Sequence, residues 1–122
     1  MKLASFVAIL ALGACATVPP ADAGPTAGLG QVAVVNGIMI RPIEVVEDSR
    51  CPAQARCVWA GRLVVRARMN GSGWTQIRDF ELGVPQAVDW NHVTLIAAEP
   101  QKQAEVEFDP RLYRFTFTAS GR

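Results

Sequence analysis

The stretch from Glu47 to Gly61 constrains the fold most, because two of the chain's three cysteines lie in it at close spacing. Cys51 and Cys57 are separated by a short segment that begins with Pro52. A disulfide requires Cα atoms about 4.4–6.8 Å apart, so this segment must turn back on itself. The spacing therefore favours a Cys51–Cys57 disulfide that closes a small loop between two extended segments.

Two alternatives to this disulfide stay open at the level of the sequence. A zinc site favours cysteines about two to four residues apart together with further Cys or His ligands. His92 is the chain's one histidine, which makes a metal the weaker interpretation. Two free thiols are the other alternative, and no neighbouring histidine is present to stabilise a reactive thiolate. We expect neither a metal nor a cofactor.

Apolar and polar residues alternate along much of the chain after residue 28, which is the period of β-strands. Between two such segments, Asn36-Gly37 predicts a type I′ hairpin, because both turn residues need positive φ. The alternating apolar residues are clearest in two segments, with Leu63, Val65, Ala67 and Met69 in one and Tyr113, Phe115 and Phe117 in the last. We predict a single all-β domain over residues 29–122, an antiparallel sandwich or small barrel of about seven strands.

Pro42 interrupts the second strand of this hairpin and predicts either an edge strand or a β-bulge. Before the proline, Ile38 and Ile40 are expected to face the core. After it, we expect Ile43 and Val45 to do so, because an irregularity at Pro42 changes which alternate residues point inward.

The N-terminus has the features of an export signal over residues 1–14. Lys2 precedes an apolar run from Leu3 to Leu12. That run is much shorter than the roughly 20 residues that a membrane-spanning helix needs, so it predicts a signal helix. Pro19, Pro20 and their neighbours within residues 15–28 then predict a flexible tether.

The sequence Leu12-Gly13-Ala14-Cys15 resembles the lipobox of bacterial lipoproteins, in which the cysteine is diacylated and becomes the new N-terminus. The resemblance implies a lipidated Cys15, and Ala16 after it implies an outer-membrane lipoprotein that faces the periplasm. A lipid on Cys15 also accounts for the odd cysteine of an exported chain. Cleavage after Ala16 or Ala23 is the alternative, and it predicts a secreted or soluble periplasmic protein.

The charge balance excludes one class of partner. Removal of residues 1–14 removes Lys2 and leaves eleven basic and eleven acidic residues. A neutral domain has no electrostatic reason to bind nucleic acid. Ten of the remaining basic residues are arginines, for which we expect cross-strand ion pairs with carboxylates on the outer sheet faces.

The stretch around the two cysteines also carries the candidate binding surface, formed by Arg50, Arg56, Trp59 and Arg62. Tryptophan and arginine dominate the energetics of protein interfaces, and a cross-linked loop loses less entropy on binding. This loop predicts a protein-binding module or, with arginine beside cysteine, a protease inhibitor. A structural envelope domain without a ligand is equally compatible with the composition. In that case Trp59 packs inward over the disulfide.

A hydrolase is the third class of function. His92 follows Asp89 by three residues, so the pair has two members of a Ser-His-Asp arrangement. No nucleophile motif accompanies them, and we predict a domain without catalytic activity.

Glu47-Asp48-Ser49-Arg50-Cys51-Pro52, followed by Cys57-Val58-Trp59-Ala60-Gly61, resembles the signature of an uncharacterised family of short bacterial exported β-domains and lipoproteins. The resemblance extends from about Val34 to Phe117 and implies a location in the cell envelope without an activity. From the residue types we expect Asp48 to brace the loop through a contact with Arg50 or with the backbone, and we expect an indole that covers the disulfide. The prediction is an envelope lipoprotein that binds the membrane through its lipid and whose non-catalytic domain is either structural or binds an unidentified envelope protein.

Overall fold

The computed structural model describes residues 24–104 and 106–121. Their strands are β1 Thr26–Ala27, β2 Ala33–Val35, β3 Ile38–Asp48, β4 Leu63–Gly71, β5 Trp74–Glu81, β6 Gln86–Val88, β7 Asn91–Glu99 and β8 Arg114–Gly121, with a 3₁₀ turn at Pro110–Leu112. The predicted signal peptide and Cys15 lie outside the described residues. Among those that are described, no helix has the length and apolar composition needed to cross a membrane.

Two antiparallel sheets of four strands each form the domain, in the orders β1-β8-β7-β6 and β2-β3-β4-β5. The sheets do not close on each other, so the domain is a sandwich and not a barrel. Their inner faces share one apolar core, in which Phe80 of β5 meets Phe117 of β8 edge to face with ring centroids 5.6 Å apart. The all-β prediction is confirmed. The eight strands agree with the predicted number of about seven, and the additional one is the two-residue β1 at the edge of the first sheet.

The hairpin and the alternation follow the sequence closely. Asn36 and Gly37 both have positive φ, 48° and 78°, as the type I′ prediction requires. All seven residues predicted to face inward from β4 and from the last strand are buried: Leu63, Val65, Ala67, Met69, Tyr113, Phe115 and Phe117. These elements could be predicted because each depends on residues adjacent in the chain.

At Pro42 the bulge prediction is confirmed, but one inward residue was assigned wrongly. The register of β3 against β4 shifts between Pro42 and Glu44, which leaves Ile43 as the extra residue. Pro42 itself is fully buried, whereas Ile43 is 45% exposed. Val45 does pack against the core. The inward parity therefore changes after Ile43, because the bulged residue points outward.

The start of the folded part also differs from the predicted boundary at residue 29. Thr26 and Ala27 pair with Thr116 and Phe115 of β8, and Ala27 is buried. The last residues assigned to the tether thus cover one edge of β8, because its backbone groups need partners.

The two ends of the sandwich are built differently. At the turn end, two-residue connections at 36–37, 72–73 and 89–90 join β2 to β3, β4 to β5 and β6 to β7. At the opposite end, the loop end, the chain makes two long connections. We call residues 49–62 the stapled loop and residues 100–113 the facing loop.

Candidate functional site

The stapled loop is closed by the predicted disulfide. Cys51 and Cys57 are bonded, with their Cα atoms 5.8 Å apart. This outcome excludes the two sequence alternatives for the pair, because bonded sulfurs are neither free thiols nor zinc ligands. Within the described ranges, no group of three or more His, Cys, Asp or Glu side chains is arranged to hold a metal ion.

Asp48, the last residue of β3, is the centre of an ionic cluster at the base of this loop. Its carboxylate accepts two hydrogen bonds from the Arg50 guanidinium, at 2.8 Å from Nε and 2.9 Å from Nη2. The Tyr113 hydroxyl donates a third, at 2.7 Å. The Asp48 and Arg50 side chains are only 11% and 15% exposed. The expected Asp48–Arg50 contact is confirmed, and it is a two-toothed pair held away from water.

The protonation equilibria of this cluster reflect the same contacts. Burial alone would raise the pKa of Asp48, but the hydrogen bonds from Arg50 and Tyr113 and the Arg50 charge outweigh it. The pKa of Asp48 therefore lies below its usual value. Burial of the phenol, followed by its hydrogen bond to the negative Asp48, raises the pKa of Tyr113 to about 12. The cluster is thus most stable with Asp48 ionised and Tyr113 neutral.

Further bonds from this cluster join the two long loops. Arg50 also donates to the carbonyl oxygens of Ala98 and Pro100, at 3.4 and 3.2 Å. Lys102 Nζ donates to the Asp48 carbonyl at 2.6 Å, and the Lys102 carbonyl accepts from the backbone N–H of Ala53 at 3.0 Å. These bonds hold the stapled loop against the facing loop, so the loop end is a single packed unit.

The two strands that lead into the stapled loop meet in a narrow neck. Ser49 N–H donates to the Arg62 carbonyl at 2.8 Å, and the Ser49 hydroxyl accepts from Arg62 N–H at 3.0 Å. Gly61 has a φ of 68°, and a Cβ added there would overlap the Ser49 carbonyl. The chain therefore needs glycine at this position for two independent reasons.

The distal part of the stapled loop displays two apolar side chains to solvent. Val58 is 92% exposed and Trp59 is 82% exposed. The expectation that the indole covers the disulfide is wrong. Arg50 and Lys102 make their hydrogen bonds on the inner side of the stapled loop, whereas the Trp59 indole points to solvent.

Of the predicted binding surface, Arg50 and Arg62 are engaged in ion pairs, whereas Arg56 and Trp59 are exposed. Arg50 turns inward and leaves that surface. Arg62 pairs with Glu47 at 2.6 Å at the neck. Arg56 is exposed beside Cys57 and makes no ion pair among the described residues. Val58 is exposed beside Arg56 and Trp59 but was not part of the predicted surface, because an isolated valine gives no signal of exposure.

Among the described residues, neither Asp89 nor His92 makes a side-chain hydrogen bond with the other or with a serine hydroxyl. Asp89 lies in the two-residue turn between β6 and β7 with a φ of 53°. His92 is exposed on β7, in register with Ala87 and Ser120. Neither side chain lines any of the four main surface depressions of the described domain.

The outer face of the second sheet shows the expected cross-strand ion pairs. Arg66 on β4 contacts Glu44 of β3 at 2.6 Å and Asp79 of β5 at 2.9 Å. These pairs are exposed and contribute little stability each.

Comparison with protein-family models, with curated proteins and with solved structures finds no match for this chain.

Proposed function

We propose that the chain is an envelope lipoprotein, anchored through Cys15, whose β-sandwich is a non-catalytic domain that binds a protein partner through the stapled loop. The observation that carries the binding role is the exposure of Val58 and Trp59 on a loop whose base is fixed. A tryptophan that is 82% exposed leaves a large apolar surface in water. Burial of that surface against a partner is favourable, and tryptophan is the most frequent type of hot-spot residue.

The construction of the loop base supports the same proposal. The disulfide, the Asp48–Arg50 pair and the bonds to the facing loop restrict the loop before any partner arrives. A restricted loop loses less conformational entropy on association, so more of the contact energy appears as affinity. Val58 and Trp59 are adjacent, so they present a joint apolar surface on this restricted loop.

A photo-crosslinking experiment in intact cells tests the binding role. p-Benzoylphenylalanine is placed at Trp59 and, as the matched control, at Trp90, which is 75% exposed in a turn at the opposite end. We expect a discrete protein adduct from position 59 and none from position 90. Absence of an adduct from 59, or the same adducts from both positions, contradicts the proposal.

The membrane anchor has its own test, so the two parts of the proposal fail separately. Intact-mass analysis of the protein extracted from membranes reports a diacylglyceryl addition and the two hydrogens lost in the disulfide. We expect both in the native chain and loss of the lipid mass in Cys15→Ser. A native chain that begins after residue 15 contradicts the anchor but leaves the crosslinking result valid.

Arg56 supports a second candidate, a protease inhibitor. Arg50 is held inside the loop base, so Arg56 is the arginine that the loop offers beside a disulfide-bonded cysteine. A trypsin-like enzyme binds arginine in its specificity pocket. Inhibition of trypsin by the purified domain that disappears in Arg56→Ala supports this candidate, whereas rapid cleavage after Arg56 without inhibition contradicts it.

A further inference from the structure

Two arginines face each other on the outer surface of the second sheet. Arg41 of β3 and Arg68 of β4 are direct register partners, and both are exposed. Side chains in this relation have Cβ atoms about 4.5–5.5 Å apart, so two like charges here repel each other. Within residues 24–104 and 106–121, neither arginine pairs with a carboxylate.

Arg66, the other outward-facing arginine of β4 near Arg68, does not share this like-charge pairing. Arg66 has an acidic register partner on each side, Glu44 on β3 and Asp79 on β5. Arg68 lies two residues further along the same face, and its partners are Arg41 and Ile77. The sheet therefore places a carboxylate on each side of Arg66 but none directly opposite Arg41 or Arg68.

The two arginines also line a surface depression. It has a volume of about 150 Å³ and is lined by Val32, Met39, Arg41, Arg68 and Asn70. The Asn70 Oδ1 atom accepts a hydrogen bond from the Thr75 hydroxyl at 2.9 Å. This bond directs the amide so that its NH₂ group is available as a donor. The depression thus combines two guanidinium groups with a third, neutral donor.

We propose that Arg41 and Arg68 form a binding site for a phosphate group. Guanidinium forks match phosphate oxygens in two-toothed geometry, and an anion between the two arginines converts their repulsion into attraction. Asn70 contributes a further donor, and Met39 packs against the non-polar part of the ligand. The phosphate belongs either to a small soluble molecule or to an anionic lipid headgroup of the envelope.

Thermal unfolding of the Cys15→Ser protein, which carries no lipid, tests the site. Phosphate is titrated at constant ionic strength with chloride as the compensating anion. We expect the unfolding midpoint to rise by about 4 °C or more at saturating phosphate. In Arg68→Gln the midpoint without phosphate should be higher than in the parent, because the repulsion is gone, and phosphate should no longer raise it. The matched control Arg66→Gln should have a lower midpoint and keep the phosphate-dependent rise.

A second arm distinguishes the two sources of phosphate. The same three proteins are sedimented with phosphatidylglycerol vesicles and with phosphatidylcholine vesicles. Binding to phosphatidylglycerol alone that Arg68→Gln loses and Arg66→Gln keeps assigns the site to a lipid headgroup, even where inorganic phosphate has no effect. An equal phosphate effect in parent and Arg68→Gln, equal vesicle binding by all three proteins, or no response in either arm overturns the proposal.

Discussion

The two ends of the sandwich connect their strands differently, with two-residue turns at one end and two long loops at the other. At the turn end, short turns follow directly from local sequence, as at Asn36-Gly37, and the disulfide of the described residues lies at the other end. At the loop end, two long connections are held by a disulfide and by the Asp48 cluster, made up of Asp48, Arg50, Lys102 and Tyr113. The contrast shows that the loop end depends on long-range contacts, whereas short turns are sufficient to connect the strands at the turn end.

Asp48→Ala should have the largest effect on this comparison. It leaves the Arg50 guanidinium mostly buried without its partner and removes the acceptor of the Tyr113 hydroxyl. Loss of one member of a fully buried ion pair costs about 3–5 kcal/mol, and because this pair keeps some exposure we expect about 3 kcal/mol. Urea unfolding at neutral pH measures this loss, and Asp79→Ala is the control, since its exposed pair with Arg66 should contribute about 1 kcal/mol or less. Equal losses in the two variants contradict the buried role of the cluster.

Alanine at glycine compares the two ends directly. Gly61 at the loop end and Gly37 at the turn end have similar positive φ, 68° and 78°. Both substitutions carry the strain of a left-handed conformation, about 1–2 kcal/mol. Only Gly61→Ala also drives a Cβ into the Ser49 carbonyl, whereas the space around Gly37 is open. We expect Gly61→Ala to lower the free energy of unfolding by at least about 1 kcal/mol more than Gly37→Ala. If Gly61→Ala and Gly37→Ala have the same denaturation midpoint, the backbone at the neck has room for a Cβ atom and this interpretation is wrong.

Removal of the disulfide should have the smallest effect of the three. A ring of about seven residues gives about 2 kcal/mol by the chain-entropy estimate. Cys51→Ala/Cys57→Ala should therefore unfold at lower urea with the domain otherwise intact, because the Asp48 cluster is still present. Addition of reductant to the parent chain gives the same comparison without substitution. A complete loss of folding in either case shows that the disulfide, and not the cluster, holds the loop end.

The sequence predicts the turn end better than the loop end for a physical reason. Turns, alternation and the disulfide depend on residues close in the chain, and these predictions are confirmed. The Asp48–Arg50 contact is also predictable, since the two residues are only two positions apart in the chain. The Tyr113 and Lys102 contacts join residues 65 and 54 positions from Asp48, and no local pattern indicates them.

The direction of a side chain is the other property that the sequence did not determine. Trp59 was compatible with a cover for the disulfide and with a binding residue, because tryptophan is frequent in both environments. Its exposure depends on how the stapled loop packs against the facing loop, which is decided by contacts between residues distant in the chain. Ile43 points outward for a similar reason, since the position of a bulge depends on pairing with β4.

Titration of Tyr113 measures whether the Asp48 cluster holds the loop end together. The chain has a single tyrosine, so its near-ultraviolet tyrosinate absorbance reports this side chain alone. We expect a midpoint of about 12 in the folded protein. In Asp48→Asn, where the negative charge is absent, we expect a lower midpoint. Unfolded chains lose the phenolic proton near pH 10, so stability should be full below that pH and fall as the pH rises from 10 to about 12. A midpoint near 10 in the folded chain contradicts the account, because Tyr113 is then neither buried nor bonded to an ionised Asp48.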